Sequence, residues 1–176
     1  MDAGLPLEQL VEAAVRKSDN TAMNLLLNRL AGPTGLDASL EKLGDTTTNI
    51  VNEEPGLNTI EPGNPDDTTT PNAFTNNLAA LLNGATLASS DEALLVEWMS
   101  GNSTGDTLIR AGTPRGWVVA DKSGGAGPIR NDIAIITPSG RGPILLTIFT
   151  AKNDSTTEYD DALIAQTAST VLAAFD

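Results

Sequence analysis

The chain has 176 residues, 40% of them hydrophobic and 3% aromatic, which suffices to bury an aliphatic core in one domain or in two small lobes. Its 23 acidic and 10 basic residues give a net charge of −13, which argues against nucleic acid or an anionic membrane as a partner. The chain contains no cysteine and no histidine, so disulfides, thiolate or imidazole metal sites and a Ser-His-Asp triad are excluded within it. Acid–base chemistry must use carboxylates, lysine, tyrosine or hydroxyl groups, and we expect neither a metal ion nor a cofactor.

Helical patterns fill the first part of the chain. Near its start, apolar residues recur at the spacing of an amphipathic helix, at Leu7, Leu10, Val11, Ala14 and Val15. A second helix, capped by Asp19 or Asn20, is predicted to run to about Leu30. A third helix is predicted over residues 34–43 and ends at a glycine.

A long loop follows at residues 45–70, which are rich in proline, glycine and threonine. A loop of this length within a compact domain usually has a function. Helices resume after Pro71, to about Leu82, and again after Ser89, which forms a capping-box pattern with Glu92.

The last third of the chain changes to the pattern of short strands. Three β-branched or apolar runs predict an antiparallel meander, at residues 117–121, 132–137 and 144–150. The connection after the first run contains three glycines within residues 124–127. Ser155 and Glu158 are predicted to open a final helix that runs to about Phe175.

Together these elements predict an α+β fold. Residues 1–112 form a mostly helical lobe that includes the loop at 45–70, and residues 113–176 form a partial α/β lobe of three strands and a C-terminal helix. The start of the chain has neither the basic region nor the apolar region of a signal peptide, so no export signal is predicted in it.

Three short motifs carry the candidate chemistry. Residues 18–20 read Ser-Asp-Asn at a helix start, and residues 54–58 read Glu-Pro-Gly-Leu-Asn in the long loop, which closes with Asp-Thr-Thr-Thr-Pro at 67–71. Residues 122–124 read Lys-Ser-Gly at the end of the first strand. Each motif alone has a structural explanation, as a helix cap, a solvated loop carboxylate or a turn.

In this order and context, the three motifs resemble those of the class A serine β-lactamases. The resemblance covers essentially the whole chain and implies the fold shared by β-lactamases and penicillin-binding proteins. The Glu-x-x-Leu-Asn element followed by Asp-Thr-Thr-Thr-Pro favours a β-lactamase over the related penicillin-binding peptidases. The implied activity is β-lactam hydrolysis, in which the lactam acylates a serine and water then hydrolyses the ester.

The resemblance implies a catalytic role for four residues. Glu54 would be the general base for the hydrolytic water, and Asn58 would hold that water in place. Ser18 would pass a proton toward the lactam nitrogen, and Lys122 would supply positive charge near Ser18 and the substrate carboxylate. Asp19 would be structural and fix its neighbours.

The resemblance also implies four substrate-binding residues. Asn20 would hydrogen-bond the amide side chain of the substrate, and Ser123 would donate a hydrogen bond to its carboxylate. The backbone N–H of Gly125 would be one of two oxyanion-hole donors. Arg130 matches the position of a carboxylate-binding arginine in many members, and the alternative is a surface arginine at a strand start.

The chain departs from the family pattern at two places. The acylated serine of the family lies in an S-x-x-K motif upstream of Ser-Asp-Asn, and this chain begins after that point, so the isolated chain is expected to be inactive. The one internal match, at residues 39–42, is an accidental match on a helix surface. Asn52 stands where many members carry an arginine that pairs with Asp67, so the ion pair becomes at best a hydrogen bond to a carboxylate. The family also suggests a cis peptide bond between Glu54 and Pro55.

The alternative function is a non-catalytic interaction module. Without the strands that precede this region in the family, residues 143–150 form an unprotected sheet edge, and an apolar groove is exposed in the helical lobe. The chain would then self-associate, or pair with a complementing N-terminal segment, through that strand. Members of the family are secreted or periplasmic, although this chain carries no signal peptide.

Overall fold

The computed structural model describes residues 4–59, 61, 63–154 and 156–175. The chain divides into two compact units, Met1–Asn77 and Leu78–Asp176, which are called the first and the second unit. The predicted division at residue 112 follows the change from helices to strands, and it stays a prediction. Within the described residues, no helix is both long and apolar enough to cross a membrane.

The regular elements of the first unit are helices, with bounds α1 Leu7–Lys17, α2 Asn20–Arg29, α3 Pro33–Lys42 and α4 Pro71–Leu81. Helix α2 contacts both α1 and α3. Helix α4 begins in the first unit and continues across the boundary into the second. These helices confirm the predicted ones, because apolar periodicity and the glycine and proline breakers mark their ends in the sequence.

The loop at residues 45–70 has little regular structure. Among its described residues, the regular elements are a single 3₁₀ turn at Gly56–Asn58 and one isolated bridge between Asn49 and Thr68. The loop is therefore held by side chains rather than by secondary structure, and its anchors decide where its functional residues lie.

Asp45 anchors the start of this loop. Its carboxylate accepts hydrogen bonds from the backbone N–H groups of Thr47 and Thr48 at 2.8 and 3.0 Å, from the Thr48 hydroxyl, and from the Asn77 amide at 2.6 Å. Burial by itself raises the pKa of Asp45, but the hydrogen bonds, led by those from Thr48, outweigh burial and lower the pKa to about 2. The carboxylate is therefore ionised at neutral pH and holds the chain at this point.

The second unit is an antiparallel sheet with helices packed on it, and its bounds are α5 Ser89–Ser100, α6 Ile109–Gly112, β1 Val118–Ala126, β2 Ile129–Thr137, β3 Ile144–Ala151 and α7 Asp161–Leu172. The strand order is β1-β2-β3, and both pairings are antiparallel. The predicted α+β class and three-stranded meander are confirmed. The short helix α6 lies outside the predicted elements, because four residues carry no readable helical period.

The core of the second unit lies between α6, α7 and one face of the sheet. Ile164, Ala168 and Leu172 recur every four residues on α7 and are fully buried. The cluster continues with Leu108, Ile109, Val119, Ala134, Ile136 and Ile148. Burying a leucine or isoleucine side chain contributes about 1.5–3 kcal/mol, so this cluster holds in place the two strands that carry the Lys-Ser-Gly motif and Arg130.

The strands are longer than predicted. Gly124 and Gly125 belong to β1 and pair with Asn131 and Arg130 of β2, so most of the predicted glycine-rich connection is strand. The turn itself is residues 127–128, where the glycine adopts a φ of 51° that other residues rarely adopt. The predicted strand ended too early because glycine has a low strand propensity. In the folded chain, hydrogen-bonded pairing with β2 outweighs that low propensity.

Helix α5 begins without the predicted capping box. Ser89 is its first helical residue, and the cap position is Ala88, which makes no side-chain hydrogen bond. The capping box of Ser89 with Glu92 is therefore wrong. Asp91 and Glu92 lie in the first turn, where negative charge favours the positive end of the helix dipole.

Helix α7 begins later than predicted. It starts at Asp161, and its cap is Asp160, whose carboxylate accepts a hydrogen bond from the Ala162 N–H at 3.0 Å. Glu158 therefore precedes the helix, and Ser155 lies outside the described residues. Asp160 is the cap because its carboxylate satisfies a backbone N–H donor in the first turn of the helix.

Candidate active site

Glu54 and Asn58 lie in the long loop of the first unit and are joined by a hydrogen bond. The Nδ2 atom of Asn58 donates to Oε2 of Glu54 at 2.7 Å. The intervening 3₁₀ turn brings these residues together although four positions separate them. The peptide bond between Glu54 and Pro55 is cis, as the resemblance implied. A half-buried carboxylate beside a side-chain amide is an arrangement that can hold a water molecule and accept its proton.

Asn24 of helix α2 holds the backbone of Glu54 with two hydrogen bonds. Its Nδ2 donates to the Glu54 carbonyl oxygen at 2.8 Å, and its Oδ1 accepts from the Glu54 N–H at 2.9 Å. The two bonds fix the orientation of the amide, because only Nδ2 can donate and only Oδ1 can accept. Sequence reasoning missed Asn24. The available signal was its spacing of four from Asn20, which places both residues on one face of α2.

Asp67 is a further anchor of the loop. Its Oδ1 accepts from the N–H groups of Val51 and Asn52 at 2.9 and 3.0 Å, and its Oδ2 accepts from Nδ2 of Asn52 at 2.7 Å. Burial by itself raises the pKa of Asp67, but the hydrogen bonds from Asn52 and Val51 outweigh burial and lower the pKa. The predicted hydrogen bond from Asn52 is confirmed, and two backbone donors add to it. An ionised acceptor strengthens all three bonds.

The Ser-Asp-Asn motif forms the junction between α1 and α2. Ser18 ends α1 in the left-handed conformation, with φ 52° and ψ 44°, which is uncommon for a residue other than glycine. Asp19 caps α2 by accepting a hydrogen bond from the Ala22 N–H at 2.8 Å, so Asp19 rather than Asn20 is the cap. Asn20 is the first residue of α2 and is exposed. The cap thus fixes the backbone at Ser18 and Asn20.

Lys122 and Ser123 lie next to each other on β1 of the second unit, so their side chains point to opposite faces of the sheet. Lys122 is half-buried, and its Nζ donates to the carbonyl oxygen of Ser123 at 2.5 Å. Ser123 is buried, and its hydroxyl lies 2.6 Å from the hydroxyl of Thr104. An ammonium group and a hydroxyl group are both suited to binding an anionic oxygen.

Asp121 is fully buried on the same face of β1 as Ser123. Its Oδ2 accepts from Nδ2 of Asn102 at 2.8 Å, and its Oδ1 forms an ion pair with Arg110. Burial raises the pKa of Asp121, and Arg110 and Asn102 oppose that effect without cancelling it. Gly105 lies against this carboxylate, and an added Cβ there would come within 1.6 Å of Oδ2, so only glycine fits.

Asp132 is buried on β2, directly opposite Ser123 in the strand register. Its Oδ2 accepts a hydrogen bond from the Ile109 N–H at 3.1 Å, which joins the start of α6 to the sheet. Burial, and then the charge of Asp121, raise the pKa of Asp132 to about 7, although the Ile109 N–H and two nearby arginines oppose the shift. Sequence reasoning placed Asp121 and Asp132 at strand ends and gave no indication that they are buried.

Arg130 is oriented by three neighbours. Its Nε donates to Oδ1 of Asp161 at 2.8 Å, and its guanidinium carbon lies 4.6 Å from the centre of the Tyr159 ring. An added Cβ at Gly125 would lie 3.0 Å from Nη1 of Arg130, so the absent side chain leaves space for the guanidinium. With 12% of its side chain exposed, Arg130 is a held cation rather than a solvated one. Its role in binding a substrate carboxylate stays a prediction.

Each unit therefore offers its own set of chemical groups. The first unit holds a carboxylate with an amide partner, Glu54 and Asn58. The second holds an ammonium, a hydroxyl and a guanidinium on two adjoining strands, at Lys122, Ser123 and Arg130. Such groups bind carboxylate ligands and move protons. Among the side chains that the structure describes, no three acidic groups are arranged to hold a metal ion.

The sequence is similar to known enzymes along nearly its whole length. The model of the beta-lactamase enzyme family matches residues 2–175. Beta-lactamase 3 of Bacillus cereus is 47% identical over 173 residues, which cover 98% of this chain and 55% of that protein. A beta-lactamase of Amycolatopsis lactamdurans is 45% identical over 172 residues, which cover 97% of this chain and 57% of that protein. The chain thus spans about half the length of these curated relatives.

Solved structures show the same similarity in three dimensions. A class A beta-lactamase from Clostridium kluyveri has a TM-score of 0.95 and 44% sequence identity, and the match covers 99% of this chain and 67% of that one. A halotolerant bacterial beta-lactamase has a TM-score of 0.94 and 38% identity, with 98% of this chain and 67% of that one covered. Fold and sequence are therefore both similar to β-lactamases.

Proposed function

Because this chain belongs to the beta-lactamase enzyme family, we propose that it carries the deacylating base and the substrate-binding residues of a class A serine β-lactamase. The substrate is a β-lactam, whose ring opens when it acylates a serine, and water then hydrolyses the ester. The observation that carries the proposal is the hydrogen-bonded pair of Glu54 and Asn58 in a loop anchored at Asn24 and Asp67.

In the proposed deacylation, Glu54 is the general base and Asn58 holds the water. The water oxygen attacks the acyl carbonyl carbon while its proton passes to the Glu54 carboxylate. The ester bond then breaks, and the serine oxygen leaves with the proton that Glu54 took from the water, which regenerates both the serine hydroxyl and the Glu54 carboxylate. A general base must lie within hydrogen-bond reach of the water that it deprotonates. The two hydrogen bonds between the Asn24 side chain and the Glu54 backbone support this assignment, because they fix the position from which the Glu54 carboxylate reaches the water.

Two residues of the first unit are proposed to act on the substrate directly. Ser18 passes a proton to the lactam nitrogen as the ring opens, which makes that nitrogen a better leaving group. Asn20 hydrogen-bonds the amide side chain of the substrate. The support is their fixed position at the α1–α2 junction, where Asp19 caps the second helix and Ser18 adopts a left-handed backbone.

Four residues of the second unit are proposed to bind charge on the substrate. Lys122 supplies positive potential, and Ser123 and Arg130 bind the substrate carboxylate. The backbone N–H of Gly125 donates to the oxygen that becomes negative in the tetrahedral intermediate. The support is that Ser123, Gly125 and Arg130 lie on one face of the β1–β2 pair, since Gly125 pairs with Arg130 and Ser123 is two residues away along β1. Lys122 is joined to the same segment by the hydrogen bond from its Nζ to the Ser123 carbonyl oxygen.

The acylated serine is proposed to come from an S-x-x-K segment upstream of this chain, so the chain alone is inactive. Helix α1 supports such a partner segment, since it is amphipathic yet none of its residues is fully buried. Exposed aliphatic side chains in the first unit are Leu5, Leu7, Leu25, Leu30 and Val51. These side chains are available for another segment or chain to cover.

The test uses this chain joined to an upstream S-x-x-K segment of the Bacillus cereus relative. The Glu54→Gln variant is expected to lose about 10²- to 10⁴-fold in turnover of a penicillin, the range for removal of a general base. It should also accumulate the acylated protein, which mass spectrometry detects. Glu53→Gln, the same change one residue away, is the control and should turn over like the parent. A folded parent that is never acylated, or Glu54→Gln turnover equal to the parent, contradicts the proposal.

A second candidate function is an interaction module that self-associates or pairs with a complementing segment through residues 143–150. Strand β3 favours it, because β3 is an edge of the described sheet and its sequence, Ile144–Ala151, contains no charged residue and no proline to block pairing. Light scattering of the chain alone tests this candidate. Dimers or larger species that vanish on Thr147→Lys would support it, and a strict monomer at high concentration would contradict it.

Homologous β-lactamases are typically secreted or periplasmic, and we propose the same location for this protein. The composition supports this, since a chain without cysteine has no thiol to be oxidised outside the cytoplasm. Fractionation of the cells that naturally produce this protein, followed by immunoblotting, tests the location, and recovery only with the cytosol would contradict it.

A further inference from the structure

Four polar side chains of the second unit form one continuous line of hydrogen bonds that ends at Ser123. The Thr104 hydroxyl lies 2.6 Å from the Ser123 hydroxyl and 2.8 Å from Oδ1 of Asn102. Oδ1 of Asn102 also accepts from the Thr104 N–H at 3.0 Å, and Nδ2 of Asn102 donates to Asp121 at 2.8 Å. Asn102, Asp121 and Ser123 are buried, so water does not compete for these bonds.

The directions of these bonds follow from the number of protons available. The backbone N–H of Thr104 and the carboxylate of Asp121 fix the Asn102 amide, because the first must donate and the second must accept. The Thr104 hydroxyl therefore donates its single proton to Asn102. Its oxygen can then only accept from Ser123, so without a ligand the proton of Ser123 points to Thr104.

We propose that Thr104 is a positioning residue for Ser123, and this rests on the proposed role of Ser123 in binding the substrate carboxylate. The contact between the hydroxyls selects one rotamer of Ser123. When a ligand carboxylate accepts the Ser123 proton, Thr104 rotates its own proton from Asn102 to the Ser123 oxygen. Asn102 keeps the Thr104 N–H as a donor, so the exchange leaves no buried acceptor without a partner.

This exchange makes Ser123 a better donor in the bound state. A hydroxyl that accepts one hydrogen bond is polarised and donates the next one more strongly. Fixing the side chain before the ligand arrives also removes an ordering cost from binding. The expected signature is an effect on KM for substrates that carry a carboxylate, with little effect on kcat.

The test compares three variants of this chain joined to the upstream S-x-x-K segment of the Bacillus cereus relative. Thr104→Val removes the hydroxyl and keeps the shape, Thr104→Ser keeps the hydroxyl, and Thr113→Val is the matched control. The Thr113 hydroxyl is also partly buried, but it donates only to the Ile109 carbonyl oxygen at 2.8 Å. With nitrocefin as substrate, Thr104→Val should raise KM about threefold to tenfold, the scale of losing one preorganised contact, with kcat within about twofold. Thr104→Ser and Thr113→Val should match the parent.

A second measurement does not depend on catalysis. Three-bond scalar couplings of the Ser123 β-protons, measured without ligand, should show a single χ1 rotamer in the parent, in Thr104→Ser and in Thr113→Val, and rotamer averaging in Thr104→Val. A single rotamer in Thr104→Val overturns the inference, as does a KM that Thr104→Val leaves unchanged in an active protein. If the parent hydrolyses no lactam, the proposed function fails while the couplings still decide whether Thr104 positions Ser123.

Discussion

Asn24 and Glu54, thirty positions apart, are joined by two opposed hydrogen bonds: the Asn24 amide donates to the Glu54 carbonyl oxygen at 2.8 Å and accepts from the Glu54 N–H at 2.9 Å. The contact attaches an irregular loop to a regular helix at the residue proposed as the general base. A side chain that must act on a water molecule needs its backbone fixed to within about 0.5 Å, and a loop supplies little rigidity of its own. The helix therefore supplies the rigidity that the loop lacks.

Removing this contact should impair turnover more than folding. In the chain joined to its upstream segment, Asn24→Ala is expected to lower kcat/KM for a penicillin by about 10- to 100-fold, because misplacing a catalytic group by about 1 Å can cost 10²-fold. Steady-state kinetics and a thermal melt measure the two effects. Asn28→Ala, an exposed position one turn further along α2, is the control. Equal kinetics for the two variants would show that Glu54 needs no support from α2.

Asn52 should restrain the loop even though no ion pair is present there. Asn52→Ala removes the donor to Oδ2 of Asp67 but leaves the two backbone bonds to Oδ1, so we expect a loss of about 1 kcal/mol in local stability. Hydrogen exchange at the amides of Val51 and Asn52 should accelerate several-fold. Asn83→Ala, which removes a comparable turn hydrogen bond outside the loop, should leave both amides unchanged. Unchanged exchange in Asn52→Ala would contradict this account of the loop.

Asp132 should make the second unit less stable as the pH rises. Its folded pKa, about 7, lies above the ordinary value of 3.8, so between these two pH values the folded state retains a proton that the unfolded state has lost. The contribution of the neutral carboxyl is complete below about pH 4 and is lost as the pH approaches 7. The charged groups that act on it are Asp121, which raises its pKa, and Arg110 and Arg130, which lower it.

Asp132→Asn tests that pH dependence, because an amide keeps an acceptor for the Ile109 N–H and does not titrate. Urea unfolding at pH 8 should show the variant more stable than the parent by at least about 1 kcal/mol, since each unit of pKa shift corresponds to about 1.4 kcal/mol. At pH 4.5 the difference should shrink. Asp154→Asn, at an exposed site, serves as the control. A difference that is the same at both pH values would contradict the assignment.

Tyr159 should assist Arg130 through its ring rather than through its hydroxyl. The ring lies 4.6 Å from the guanidinium carbon, and a contact of this type contributes about 0.5–2 kcal/mol. Tyr159→Leu is expected to raise KM for a carboxylate-bearing lactam about twofold to fivefold, by releasing Arg130 from one of its three neighbours. Tyr159→Phe keeps the ring and should behave like the parent. If both variants raise KM equally, the hydroxyl is responsible and the ring contact is not.

Sequence patterns predicted the elements of the fold well where their bounds depend on residues that are near in sequence. Helices α1 to α4 and the three strands follow apolar periodicity and glycine or proline breakers, which need no distant partner. Strand β1 was predicted too short because its glycines read as a turn, whereas pairing with β2 extends it to Ala126. The start of α7 was predicted too early, because Ser155 and Glu158 match a capping pattern in the sequence, whereas Asp160 caps the helix in the structure.

Some residues of the candidate site were predicted from the sequence, and others were missed. The pairs of Glu54 with Asn58 and of Asn52 with Asp67 were predicted because the resemblance to the class A β-lactamases implied them. Asn24 and Thr104 were missed, because their partners are 30 and 19 residues away and only the folded chain brings them together. Burial of Asp132 was equally hidden, since a single aspartate in a strand pattern carries no sign of the side chains that will cover it.

The central claim is that this chain supplies the base and binding residues of a β-lactamase whose acylated serine lies upstream. The most direct measurement is nitrocefin hydrolysis by the 176-residue chain, first alone and then after co-refolding with an S-x-x-K segment of a relative. We predict no turnover by the chain alone, turnover on mixing, and loss of that turnover in Glu54→Gln. Turnover by the chain alone would contradict the claim and make Ser39 the first residue to replace. Absence of nitrocefin hydrolysis by a folded one-to-one complex would contradict the claim as well.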